Sequence, residues 1–218
     1  MAQDVVIFGG KGGGATVADY MLASGSSNRV LGFLNDVAPK GTLISGLEVL
    51  GAFADWRDFP EHVTFNAPLH LVKEMQARSA IIASLNIPEH RWARAAHPSA
   101  VLSQSARIGS GCSIGPFCDI CNGAALGSHI AIRAGVSVAH DATIDDFAFL
   151  GARSTILGYV QIRKGAHIGP GAVIKERVTV GEFAVVGIGS TVLSDVKPYS
   201  IVAGSPAREL GKVKQYER

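Results

Sequence analysis

The chain is predicted to fold as a small α/β unit followed by a parallel β-solenoid. Sixteen aliphatic residues stand six apart without interruption, from Leu102 to Val192. A six-residue period fits neither a helix nor an alternating strand, but it fits a chain that turns a corner after every short strand. The residue two before each aliphatic is usually small, as at Cys112, Cys118, Ala124, Ala142, Ser154 and Ala172. Each strand therefore sends one large and one small side chain into a narrow prism. Glycine follows the aliphatic at 109, 115, 127, 151, 169, 181 and 187, where a corner is tight. Three strands close one coil of 18 residues. Positions that far apart should stack at about 4.8 Å, the inter-strand spacing.

Before residue 98 the period is absent and strand and helix signals alternate. A buried strand over 5–8, a loop containing Gly9, Gly10, Gly12, Gly13 and Gly14, a helix over 15–23 and a strand over 30–34 make a βαβ order of the Rossmann-like kind. Asn35 and Asp36 fall at the carboxyl end of the second strand, where ligands of open α/β sheets gather. A weaker strand over 47–50, a short helix over 55–58, a strand over 63–66 and a helix over 68–85, with Pro68 in its first turn, complete the unit. Residues 91–96 should return to the sheet before His97, Pro98 and Ser99 hand the chain to the solenoid. The expected units are 1–97, 98–196 and a cap over 197–218 that covers the open end of the stack.

With 218 residues and 47% apolar content the chain can bury an ordinary core. Its 20 basic and 18 acidic residues give no electrostatic reason to expect nucleic acid. The start lacks a positive leader, and no apolar run approaches 18 residues, so a cytoplasmic protein without a membrane segment is expected. Cys112 and Cys118 hold small inward positions, which reads as packing. Cys118 and Cys121 form a CxxC with no second pair, and His129, His140 and His167 differ in phase around the prism; no metal site is expected.

Two features bear chemistry. The Gly-Gly-Lys-Gly-Gly-Gly run between a strand and a helix offers backbone N–H groups and a helix N-terminus to a phosphate, with Lys11 adding charge; a plain tight turn is the competing reading. His140 lies two residues past the inward Val138, at a corner, with Asp141 next and Gly158 one coil above. Imidazole can take a proton near neutral pH, and a neighbouring carboxylate can hold its tautomer. A glycine one coil away leaves room for a substrate to approach a backbone N–H as an oxyanion develops. A surface histidine is the alternative, and Asp145 and Asp146 read as solvated corner residues.

This order of parts, with the linker Ala96-His97-Pro98-Ser99-Ala100 and the ending Val202-Ala203-Gly204-Ser205-Pro206-Ala207-Arg208, resembles one family over essentially the whole chain. It is the bacterial sugar O- and N-acyltransferases with hexapeptide repeats, related to the sialic-acid O-acetyltransferase and the UDP-amino-sugar N-acetyltransferase of bacillosamine synthesis. The resemblance implies a left-handed parallel β-helix, a homotrimer with active sites between protomers, and a role in cell-surface polysaccharide biosynthesis. It implies acetyl-CoA as co-substrate, without a metal, and a nucleotide-linked sugar as acceptor. His140 then corresponds to the general base, Asp141 to its acidic companion, and Gly158 to the donor that meets the thioester carbonyl. The pantetheine arm would run near Pro170 and Ile188, with Gly204 and Arg208 near the cofactor's outer half. Gly10, Lys11, Gly12, Gly13, Asn35, Asp36 and Arg133 would hold the nucleotide-sugar. Arg133 stands where relatives often have asparagine, Ala139 where an acid often precedes the base, Phe149 where a histidine often faces the acyl group, and Gly13 where the loop often has histidine. These changes bear on acceptor and acyl recognition more than on the base.

The expected reaction is direct transfer in a ternary complex, with no acyl-enzyme, since no cysteine shares the phase of His140. Alternatives are an acetyltransferase for serine or another small acceptor, a non-catalytic nucleotide-sugar-binding protein, and an oxidoreductase binding NAD through the glycine loop.

Overall fold

A computed structural model describes residues 3–70 and 74–214. Strand β1 (Gln3–Phe8) leads through the glycine turn into helix α1 (Gly13–Leu22), and β2 (Asn28–Leu34) returns parallel to β1. Strands β3 (Leu43–Ile44) and β4 (Leu47–Gly51) form a hairpin, and β5 (Thr64–Asn66) completes the order β3-β4-β2-β1-β5. The hairpin is absent from the sequence reading, although Ser45 and Gly46 turn it with φ of 49° and 80°, the left-handed pair that a two-residue connection demands. Both faces of β1 are buried, as in a covered parallel strand. Val5 and Ile7 pack with Val17 and Met21 of α1, whereas Val6 and Phe8 pack with Trp56, Phe65 and Trp92.

Three boundaries depart from expectation. Helix α1 begins at Gly13, so Gly13 and Gly14 belong to its first turn and the loop is shorter. Helix α2 (Met75–Ser84) replaces the helix predicted over 68–85: the segment 68–70 is irregular, with the N–H of Leu69 donating to Ala67 O and that of His70 to Pro68 O, and 71–73 lie outside the described residues. Pro68 therefore opens no helix. Residues 91–96 do not return to the sheet as a unit: Trp92 bridges to Phe65, but Ala95–Ala96 already pairs with Ser113–Ile114 of the solenoid.

From there each short strand pairs in parallel with the strand 18 residues on, as Asp119 with Ser137 and Ala131 with Phe149. Three sheets result. The first face has eight strands and runs from Ala95–Ala96 to the terminal hairpin; the second has six and contains Ser137–Val138; the third has five and contains Thr143–Ile144. The aliphatics from Ile114 to Val192 and the small residues beside them form one continuous buried core. Strand Ser200–Gly204 pairs with Val185–Val186, and Ala207–Lys212 folds back antiparallel on it, so the tail extends the first face rather than leaving Val185–Val186 as its edge. Among the described residues no helix is long and apolar enough to cross a membrane.

Ser154 occupies a small inward position, fully buried, and its Oγ has no hydrogen-bond partner. Ser190, in the same phase, accepts the Gly204 N–H at 3.1 Å. Replacing an unsatisfied buried hydroxyl by hydrogen removes a desolvation cost of about 1–3 kcal/mol, whereas removing a used acceptor adds one. Ser154→Ala is thus expected to raise the urea unfolding midpoint and Ser190→Ala to lower it.

Candidate functional site

The turn between β1 and α1 lies at the carboxyl edge of the sheet and lines a cavity of about 500 Å³. Gly12 precedes the helix at φ 78°, a conformation costly for any other residue. The Ala15 N–H donates to Gly10 O at 2.8 Å and the Thr16 N–H to Gly12 O at 2.9 Å. The N–H groups of Lys11, Gly12, Gly13 and Gly14 donate to no acceptor among the described residues, and they open on the cavity together with the positive end of α1. All seven residues expected to hold the acceptor line this one space: Gly10, Lys11, Gly12, Gly13, Asn35, Asp36 and Arg133.

Two of the seven also have structural duties. Asn35 Oδ1 accepts the N–H groups of Val37 and Ala38, both at 2.8 Å, while its Nδ2 donates to Gly9 O at 3.0 Å. Asp36 Oδ1 accepts the Phe53 N–H at 2.7 Å. The sequence reading missed Phe53, His70 and Arg78 in the lining. No local motif marks them; the irregular segment 68–70 and the packing of α2 bring in His70 and Arg78, and the turn after β4, tied to Asp36, brings in Phe53.

His140 sits elsewhere, at the corner where the chain passes from the second face to the third. Its Nδ1 and Asp141 Oδ2 are 3.0 Å apart, and the side chains are 52% and 45% exposed. A carboxylate at Nδ1 assigns the proton to that nitrogen and leaves the Nε2 lone pair free. Asp141 holds φ 58°, anchored by its N–H to Asn122 O at 3.1 Å. A Cβ at Gly158 would lie 2.9 Å from both Cε1 and Nε2 of His140, so the ring lies directly against this glycine. The Gly158 N–H donates to no acceptor among the described residues. Tyr159 approaches the imidazole edge-on at 5.2 Å, and Arg177 lies 4.5 Å over Tyr159. Both were findable by counting 18 and 36 residues on from Asp141.

The residues expected near the cofactor are spread over two places. Pro170 and the 80% exposed Ile188 stand on the corner between the first and second faces, the same corner that carries Arg133. Gly204 and Arg208 lie in the terminal hairpin, where Arg208 Nη1 donates to Ala207 O at 2.9 Å. Phe149 is half-buried on the first face, stacked on His167 at 4.5 Å and 1°, with His70 at 5.9 Å and Arg133 at 5.4 Å. Asp146 Oδ1 accepts the Ser128 N–H at 2.7 Å, which makes it a corner brace, and Asp145 stands 3.7 Å from Arg163. Among the described residues no group of three or more His, Cys, Asp or Glu could hold a metal ion.

No protein-family model matches the chain. Curated relatives include the GDP-perosamine N-acetyltransferase of Escherichia coli O157:H7, 34% identical over 120 residues covering 52% of this chain and 54% of that protein. The serine acetyltransferase of Buchnera aphidicola subsp. Schizaphis graminum is 33% identical over 140 residues, covering 64% and 45%. The chain thus spans about half the length of the curated relatives it matches. Among solved structures, the acetyltransferase domain of PglB from Neisseria gonorrhoeae in complex with acetyl coenzyme A superposes with a TM-score of 0.84 at 25% identity, over 96% of this chain and 100% of that one. The chain is thus similar to sugar N-acetyltransferases of the hexapeptide-repeat kind and to serine acetyltransferases.

Three histidines of this hexapeptide-repeat protein are held neutral by the packing between the α/β unit and the solenoid. Burial, with Arg133 beside it, pushes His70 down to about 3; burial pushes His129 and His167 down to about 4. The unfolded chain protonates such rings near pH 6.5. Their contribution to stability is therefore complete above about pH 6.5 and is lost as pH falls toward the folded values, on the order of 1–3 kcal/mol per ring. The urea midpoint should fall steadily from pH 7 to 4.5, and His167→Phe should make that fall shallower.

Proposed function

We propose that the protein is an acetyl-CoA-dependent acetyltransferase that acylates an amine or hydroxyl of a nucleotide-linked sugar. The observation that carries this reading is an imidazole oriented by a carboxylate and lying against a glycine whose N–H is unspent. His140 Nε2 removes the proton as the acceptor attacks the thioester carbonyl, the Gly158 N–H receives the developing oxyanion, and collapse expels the CoA thiol. Asp141 keeps the tautomer and balances the imidazolium. Holding two large substrates together supplies much of the rate, roughly 7–11 kcal/mol in well-oriented cases.

Residues 1–97 are read as the nucleotide-sugar domain, 98–196 as a left-handed acyltransferase solenoid and 197–218 as its cap. The cavity and His140 belong to different parts of the chain: the cavity includes Arg133, on the corner between the first and second faces, and His140 is on the next corner. A second copy that sets its corner against this cavity joins them, which supports a homotrimer with shared sites. Leu157 and Leu193, two coils apart at the corner after the second face and on the same corner as His140, leave 37% and 53% of their surface exposed for such contact. Pro170, Ile188, Gly204 and Arg208 would then lie along the CoA, Phe149 would set the floor below Arg133, and the reaction would run in the cytoplasm.

A small acceptor such as serine is the competing reading, given the serine acetyltransferases among the relatives. The glycine cavity favours the nucleotide-sugar, because its free N–H groups suit a diphosphate that serine lacks. Thiol release from acetyl-CoA with UDP- and GDP-linked amino sugars, against serine, tests the choice; turnover with serine alone overturns it. His140→Ala is expected to lower kcat by about 10²–10⁴-fold with CoA binding and unfolding midpoint retained. Gly158→Ala, whose methyl would meet the ring at 2.9 Å, is expected to lower kcat without loss of fold. Near-normal kcat in His140→Ala refutes the assignment.

A further inference from the structure

The cavity contains a cation to which the proposed chemistry assigns no particular group of the acceptor. Arg133 leaves the solenoid corner after Ala131–Ile132 and reaches the first turn of α1, where its Nη2 lies 3.6 Å from the place a Cβ on Gly13 would take. Its guanidinium rests 5.4 Å over Phe149, and no carboxylate among the described residues lies within ion-pair distance of it. The other cavity arginine, Arg78, is already paired with Glu74 at 3.0 Å. Asp36 is the one carboxylate lining the cavity among the described residues, and it accepts the Phe53 N–H. A guanidinium without a partner, facing four unspent N–H groups at a helix N-terminus, is half of an anion site whose other half is backbone.

The geometry points to Arg133 as the clamp on the terminal phosphate of a nucleoside diphosphate, the one that carries the sugar. This rests on the nucleotide-sugar reading and deepens it. An oxyanion shared between the N–H groups of residues 12–14 and the guanidinium spans the α/β unit and the solenoid. Held so, the sugar is fixed relative to the solenoid as well as to the nucleotide domain, which converts binding energy into orientation. Gly13 is the matching requirement: a methyl there would lie 2.9 Å from Pro68 O, closer than a Cβ can sit to backbone oxygen. The planar fork suits bidentate contact with phosphate better than an ammonium would.

A carboxylate on the sugar could satisfy the same guanidinium, so the test separates the two sources. Calorimetric titration of wild type, Arg133→Gln and Arg133→Lys uses UDP, GDP, their monophosphates and UDP-glucuronate. Arg133→Gln is expected to weaken the bound nucleoside diphosphate by about tenfold or more, to leave the monophosphate within about twofold, and to be partly rescued by Arg133→Lys. The CoA affinity and the unfolding midpoint stay unchanged. Equal diphosphate binding in wild type and Arg133→Gln overturns the clamp while leaving the nucleotide-sugar reading standing. A loss confined to UDP-glucuronate overturns it in favour of a sugar carboxylate. Wild type that binds no nucleoside diphosphate at all removes the nucleotide-sugar reading itself.

Discussion

The stacking of each residue on the one 18 positions away is the constraint on which the rest of the molecule depends. Parallel strands of two residues satisfy their backbone groups only through the coils above and below, so the hydrogen-bond ladder and the aliphatic core enforce a single register. A one-residue slip would turn every inward isoleucine outward. Because that register is rigid, an exposed corner can carry a side chain in a defined place at no structural cost. His140, Gly158 and Tyr159 illustrate it: their juxtaposition is a consequence of coil height alone.

The same rigidity gives the α/β unit a fixed surface to pack on. The α/β unit presents a turn with unspent N–H groups, and the solenoid corner that carries Arg133 closes the cavity from the other side. Between them lies a layer of neutral rings, with His70, Phe149 and His167 on one side and Trp92, His129 and Phe147 on the other. Burial holds these imidazoles uncharged, so the layer packs as aromatics do and confines the cationic charge at this junction to Arg133 and its neighbours around the cavity. An apolar floor under a guanidinium keeps it from solvating and sharpens its appetite for an anion.

Much of this was legible in the order of residues. A strict period needs no long-range information, because each coil repeats the last; the core, the three faces and the relation of His140 to Gly158 follow by counting. The βαβ order and the glycine turn were legible for the same reason, being local patterns. The strand over 47–50 is legible, but its hairpin partner β3 is not, because two residues give no periodicity; the helix after Pro68 is shorter than its propensity suggests, because propensity does not register where a segment must bend around a neighbouring unit.

By itself, then, the chain determined its repeat, its inward and outward positions and the types of group at each corner, since these depend on neighbours at a fixed spacing. Tertiary structure alone decided which distant groups meet: Arg133 with Gly13, His70 with Phe149, and Ala95–Ala96 with the solenoid rather than the sheet. Those contacts cross between two units with different periods. No count along the sequence relates one period to the other; the packing of one surface on another does.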